Sequence, residues 1–150
     1  MDKMGKKCYI LVMVDSFTKF ALFRKICDKR PETVAQSFFD NWVCQFSCPR
    51  KLITDQGKDV SSQIIRNLCK LLGVEKSQTS GYHPQSNSQA EVLNKHIGKY
   101  LLAVTTERKE DWEDHLSSAQ HCYNLSIQNS IKNSPFNVLF GLDNVNSPIF

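Results

Sequence analysis

No run in the 150-residue sequence approaches the roughly eighteen consecutive apolar residues needed for a membrane-spanning helix, so no helical span is expected. A secretory leader is not expected either. The basic start Met-Asp-Lys-Met-Gly-Lys-Lys leads into the apolar run Cys8–Val14, but Asp15 stands where a small-residue cleavage site belongs. There is no Cys-x-x-Cys pair among Cys8, Cys27, Cys44, Cys48, Cys69 and Cys122, and only a loose Cys44-x-x-x-Cys48, which argues against a structural zinc site. Most of these cysteines lie in apolar patterns and read as reduced, buried thiols of an intracellular protein. A large excess of one sign of charge is absent too. The formal net charge is +4, which permits a polyanionic partner without arguing for one. Internal repeats, low-complexity tracts and linkers are absent. The length suits one domain, and 41% hydrophobic with 23% charged residues fits a globular one.

The residues that are present alternate between two periods. Tyr9–Val14 is uniformly apolar and reads as a central strand covered on both faces. Asp15–Thr18 reads as a turn, and Lys19–Ile26 as an antiparallel second strand. Pro31 opens a helix whose apolar residues Val34, Phe38, Phe39, Trp42, Val43 and Phe46 recur at helical spacing, until Cys48-Pro49 stops it. Lys51–Asp55 is a short strand. Ser61–Leu72 is a helix closed by Gly73, and Val74–Thr79 another short strand. Leu93, Ile97, Tyr100, Leu101 and Val104 mark one face of a further helix, with Glu91, Lys95, Gly98 and Lys99 opposite. Asp111-Trp112 starts another helix through Tyr123, and Ser134-Pro135 a last short one. Strands first, then alternation, then helices: this order suits an α/β domain with a mixed sheet and helices on both faces.

Asp15 and Asp55 each end a strand, where ligand sites of open α/β sheets gather. Aspartate also ends strands for purely structural reasons. Glu91 has two registers open to it. Ser88-Gln-Ala-Glu91 fits a capping box in which Glu91 is spent on the helix start; Ser86-Asn-Ser-Gln89 fits the same box and leaves Glu91 free. Three carboxylates together suit hard divalent cations, and two such ions about 3.5–4 Å apart clamp the attacking and leaving oxygens of a phosphoryl displacement.

The motifs Val-Asp15-Ser-Phe-Thr-Lys-Phe, Ile-Thr-Asp55-Gln-Gly and Tyr-His-Pro-Gln-Ser-Asn-Ser-Gln-Ala-Glu91-Val-Leu-Asn94 resemble the integrase catalytic core of retroviruses and long-terminal-repeat retrotransposons of the Gypsy type. Asp111-Trp112, His121-Cys-Tyr-Asn124 and Ser134–Gly141 resemble that family's downstream helices. Thirty-five residues separate Asp55 from Glu91, the family's own spacing.

The resemblance implies a ribonuclease-H-like fold with a five-stranded mixed sheet flanked by helices. It implies that Asp15, Asp55 and Glu91 are catalytic and bind two Mg²⁺ ions, with Mn²⁺ able to substitute. The implied reaction is polynucleotidyl transfer: trimming of the element's DNA ends and their joining to target DNA. Tyr82, Gln85, Ser86 and Asn87 then fall in the loop beside the scissile phosphate, and Lys95 and Lys99 face DNA. Further implied are a homodimer or higher homo-oligomer, with the helices around Phe38–Phe46 and Trp112–Tyr123 as candidate faces, and a nuclear location. Residues 1–150 are expected to be one catalytic core cut from a longer Pol polyprotein, without its zinc-binding and C-terminal DNA-binding domains. The sequence departs from the family at Ser88, where glycine is usual, at Val60, and in lacking a Gly-Pro element before the first strand. These departures motivate an alternative: a domesticated or degenerate integrase-like domain that binds nucleic acid or protein without catalysis.

Overall fold

The computed structural model describes residues 8–54, 63–78, 93, 95, 97–102 and 112–141. Strands β1 (Tyr9–Val14) and β2 (Ala21–Ile26) form an antiparallel hairpin in which Tyr9 faces Ile26 and Val14 faces Ala21. β3 (Lys51–Thr54) and β4 (Glu75–Gln78) pair in parallel, from Lys51 opposite Glu75 to Thr54 opposite Gln78. Among the described residues the sheet therefore has four strands in two separate pairs, one of each direction, rather than five in one.

The period-two pleat of β1 sorts its side chains onto two apolar layers. Ile10, Val12 and Val14 lie, with Ala21 and Phe23 of β2, against Leu93, Ile97 and Leu101 and against Leu116 and Ala119. Tyr9 and Leu11 lie, with Ile26, Leu52 and Val74, against Val34, Ala35, Ile65 and Cys69. The result is a sheet layer with helices on both sides. Each fully buried aliphatic in it, such as Leu93, adds about 1.5–3 kcal/mol. β1 departs from its expected burial in one respect: both faces are covered, yet all six residues are only half-buried.

The helices follow from local chemistry. α1 (Pro31–Phe38) starts on Pro31 at its first position, where a missing N–H costs nothing. Just before it, the Asp28 carboxylate accepts from the Arg30 and Thr33 side chains and from the Arg30 N–H. These bonds, the Arg30 side chain's first, hold Asp28 at a pKa of about 2 instead of 3.8. A depressed carboxylate pKa contributes stability that is present above the unfolded value and lost as pH falls towards the folded one. The acid limb of the stability curve between about pH 4 and 2 should therefore flatten in Asp28→Asn, as read by melting temperature against pH.

The helix expected to run unbroken to Phe46 passes through a π-helical segment (Phe39–Val43) before α2 (Cys44–Phe46). Inside the widened turn the Asn41 side chain donates to the Ser37 carbonyl and accepts from Arg24 Nε at 2.6 Å, which ties the helix to β2. α3 (Gln63–Leu71) buries Ile65 and Cys69, four residues apart. It ends in a Schellman motif. Gly73, at φ +67°, donates to the Lys70 carbonyl, and Val74 donates to that of Cys69. Nothing would touch a Cβ at Gly73, so Gly73→Ala should cost only the left-handed backbone strain, about 1–2 kcal/mol by urea unfolding.

The helical residues 93, 95 and 97–102 constitute α4. A 3₁₀ turn (Trp112–His115), not an α-helix, opens the next element before α5 (Leu116–Leu125). α6 (Pro135–Phe140) has Ser134 as N-cap, its hydroxyl accepting from the Asn137 N–H, and Gly141 as left-handed C-cap. The cysteines correct the expectation of buried thiols. Only Cys69 is buried; Cys44 and Cys122 are exposed on α2 and α5, and Cys27 and Cys48 are exposed just past the ends of β2 and α2.

α5 does more than cover a face. The Asn124 side chain accepts from the Ala21 N–H (2.9 Å) and donates to the Ala21 carbonyl (2.8 Å). One helical turn earlier, Gln120 Oε1 accepts from the Phe23 N–H (2.9 Å) and from the Arg24 guanidinium (2.8 Å). Two side-chain amides thus take the place of a neighbouring strand along the outer edge of β2.

Candidate active site

Asp15 follows the last residue of β1. The hairpin loop that carries it closes through the Asp15 N–H to the Phe20 carbonyl and the Lys19 N–H to the Asp15 carbonyl, both 2.9 Å. Lys19 takes a left-handed φ of +64°, which is why β2 begins at Ala21 and not at Lys19 as its sequence pattern predicts. The Lys19 ammonium folds back onto the Ser16 carbonyl. The loop is anchored by Phe20, whose buried ring makes edge contacts with Phe46 (5.8 Å) and Phe140 (6.0 Å).

The Asp15 carboxylate is half-buried and already engaged. Its Oδ2 accepts from the N–H and the hydroxyl of Thr18, each at 2.7 Å. Thr18 is itself buried, and its hydroxyl accepts from the Phe20 N–H. No described residue donates to Oδ1, while Oδ2 holds the turn. Sequence reasoning passed over Thr18. The signal was the Asp-x-x-Thr spacing, which lets a carboxylate accept from the residue three positions on. Thr18→Val keeps the shape and removes both hydroxyl bonds, so a loss of about 1–2 kcal/mol is expected in chemical denaturation.

Thr54 closes β3, so position 55 follows the carboxyl end of a parallel strand pair. Asp55 itself, Glu91 and the loop residues Tyr82, Gln85, Ser86 and Asn87 lie outside the described residues, as do Ser88 and both capping registers. The face expected of the helix after that loop is present. Leu93, Ile97 and Leu101 are buried at successive turns and Tyr100 is half-buried, whereas Lys95, Gly98 and Lys99 are exposed. Lys95 and Lys99, four residues apart, share the polar side. A Cβ at Gly98 would meet no described atom.

Among the described residues there is no cluster of three metal-ligating side chains, and only one of the three expected carboxylates, Asp15, falls within them. No described helix is long and apolar enough to cross a membrane.

Similarity to known proteins bears on the family and the fold. The family model described as integrase core domain matches residues 1–84. The chain is 32% identical over 140 residues to the Pro-Pol polyprotein of Simian foamy virus type 1, covering 93% of this chain and 12% of that protein. It is 25% identical over 134 residues to the retrovirus-related Pol polyprotein from transposon 412 of Drosophila melanogaster, covering 89% and 11%. The chain thus spans about a tenth of the length of these curated relatives. Among solved structures, the catalytic core domain of BIV integrase superposes with a TM-score of 0.72 at 24% identity, over 88% of this chain and 85% of that one. That likeness shows the ribonuclease-H-like fold.

Proposed function

The chain belongs to the integrase core domain family, and from that premise we propose that it catalyses metal-dependent polynucleotidyl transfer on DNA. The observation that carries the proposal is the family match over residues 1–84, extended by a glutamate separated from Asp55 by thirty-five residues. In this reading Asp15, Asp55 and Glu91 hold two Mg²⁺ ions, which Mn²⁺ can replace. Asp15 fits as a one-oxygen ligand, since only its Oδ1 is without a described donor. When bound, the ions supply charge neutralisation at the transferred phosphate and an activated nucleophile. The chain's own residues do the rest. Lys95 and Lys99 bind backbone phosphates, giving salt-dependent affinity without base specificity. Tyr82, Gln85, Ser86 and Asn87 orient the scissile strand, and orientation lowers the barrier by setting the in-line geometry beforehand. The reaction takes water as nucleophile when it trims a DNA end and a 3′-hydroxyl when it joins that end to a target. DNA is the partner, and the nucleus the location.

A second reading of Asp15 has its own observation: the two 2.7 Å bonds from Thr18 are what a purely structural turn cap would make. Asp15→Asn separates the two, because the amide oxygen still accepts from Thr18 while the negative charge is lost. The assay is Mg²⁺- or Mn²⁺-dependent strand-transfer reversal on branched DNA. If Asp15 ligates metal, Asp15→Asn loses activity with an unchanged melting temperature. If the variant keeps full activity, Asp15 leaves the proposed triad. A wild-type chain that is folded, binds DNA and shows no activity would favour the binding-only alternative.

A further inference from the structure

The hairpin loop between β1 and β2 sends neighbouring side chains in opposite directions. Thr18 and Phe20 are each 7% exposed, whereas the Phe17 side chain next to them is 80% exposed, the most of any aromatic among the described residues. Hydrogen bonds fix this arrangement. The amides of Asp15, Thr18, Lys19 and Phe20 all donate within the loop: to the Phe20 carbonyl, Asp15 Oδ2, the Asp15 carbonyl and the Thr18 hydroxyl. The Lys19 ammonium adds a bond to the Ser16 carbonyl. Turning the Phe17 ring inward would break this set, and the inward place is already filled by Phe20, packed against Phe46 and Phe140.

Single exposed apolar side chains are common and most have no role. Leu71 and Ile127 are about as exposed, but they are aliphatic and stand at helix ends. Phe17 differs in three ways. It offers a π-face, which every nucleic-acid base can stack on. Its loop is already ordered, so little freedom is lost when something binds. It stands two residues from Asp15, a separation of at most about 7 Å, or about two steps of a stacked strand at roughly 3.4 Å each. A phosphate drawn to a cation at Asp15 therefore brings its own base, or the next one, level with the ring. The Lys19 ammonium, with donors to spare beyond its bond to Ser16, adds a cation on the same loop.

We infer that Phe17 is a stacking platform for an unpaired base of the DNA strand held at the proposed site. The inference rests on the DNA reading above and names a contact that reading does not contain. A base inside a duplex is stacked on both faces and has none to offer. A base at a frayed end has one, and trimming and joining both take place at DNA ends.

The test is binding of the 150-residue chain in Mg²⁺ to two labelled probes, read by fluorescence anisotropy: a blunt duplex, and the same duplex with a few unpaired nucleotides at one 3′ end. The wild type should prefer the frayed probe. Phe17→Ala should weaken binding to the frayed probe about 5- to 100-fold, the span of base–aromatic stacking, and to the blunt probe less than about twofold. Phe17→Leu keeps apolar bulk without a π-face and should fall with alanine, whereas Phe17→Trp should keep the preference. All three variants should melt within about 2 °C of the wild type, because the ring touches so little of the fold. Phe17→Ala binding both probes like the wild type overturns the inference and leaves the DNA reading standing. So do equal losses on the two probes, or a wild type without preference. Phe17→Leu at full affinity overturns stacking in favour of plain apolar contact. A folded wild type that binds neither probe removes the DNA reading itself, and this inference with it.

Discussion

Asp55→Asn should cost about 10²–10³-fold in the rate of strand-transfer reversal, the range seen when one preorganised electrostatic contact to a transition state is removed. The substitution keeps the size but replaces one of the two acceptor oxygens with an NH2 donor and removes the charge. A hard divalent cation depends on that charge. Position 55 follows the carboxyl end of β3, whose side chains alternate between exposed and half-buried, so the fold should change by no more than about 0.5 kcal/mol. The two measurements belong together: loss of rate with an unchanged melting temperature supports a ligand role. Wild-type activity that persists undiminished in Asp55→Asn would remove the assigned mechanism.

Asn124→Ala is expected to be the most damaging substitution for stability among those considered. Asn124 is buried, and its side chain satisfies both the N–H and the carbonyl of Ala21, which is fully enclosed. Alanine cannot reach either group, and the space is too enclosed for water to replace the amide easily. Each orphaned buried group costs about 1–3 kcal/mol, so the total is about 2–6 kcal/mol. At about 2–4 °C per kcal/mol for a chain of this size, the melting temperature should fall by roughly 5–20 °C. Gln120→Ala should cost less, because Gln120 is only half-buried and holds one backbone group instead of two. Equal melting temperatures for the wild type and Asn124→Ala would show that the edge of β2 is satisfied some other way.

The legible parts of this fold were those set by local periodicity. Tyr9–Val14 announced a strand through its apolar run, and the face of α4 could be read from Leu93, Ile97 and Leu101 because spacing alone fixes it. Pro31, Gly73 and Ser134 marked helix ends through backbone chemistry each residue carries with it. What escaped was set by contacts distant in sequence. The start of β2 slipped to Ala21 because a left-handed Lys19 belongs to the hairpin loop. The π-helical turn answers to Arg24, which lies seventeen residues before Asn41. The exposure of Cys44 and Cys122 depends on which side of each helix meets a neighbour, and neighbours are not written in the local pattern. At the candidate site, the sequence supplied Asp15 as a carboxylate at a strand end. The prior claim of Thr18 on one of its oxygens appeared only with the geometry.

The amides that close β2 come from far along the chain: Asn124 is 103 positions from Ala21, and Gln120 is 97 from Phe23. During synthesis the hairpin is therefore complete long before its guard exists. At 5–20 residues per second, the interval is about 5–20 s. Throughout it, both edges of a strongly apolar two-stranded ribbon are exposed on the nascent chain. Production of this domain should thus be sensitive to how fast the ribosome moves between codons 26 and 124, and to chaperones that hold extended apolar segments, even though the finished fold shows no trace of that dependence.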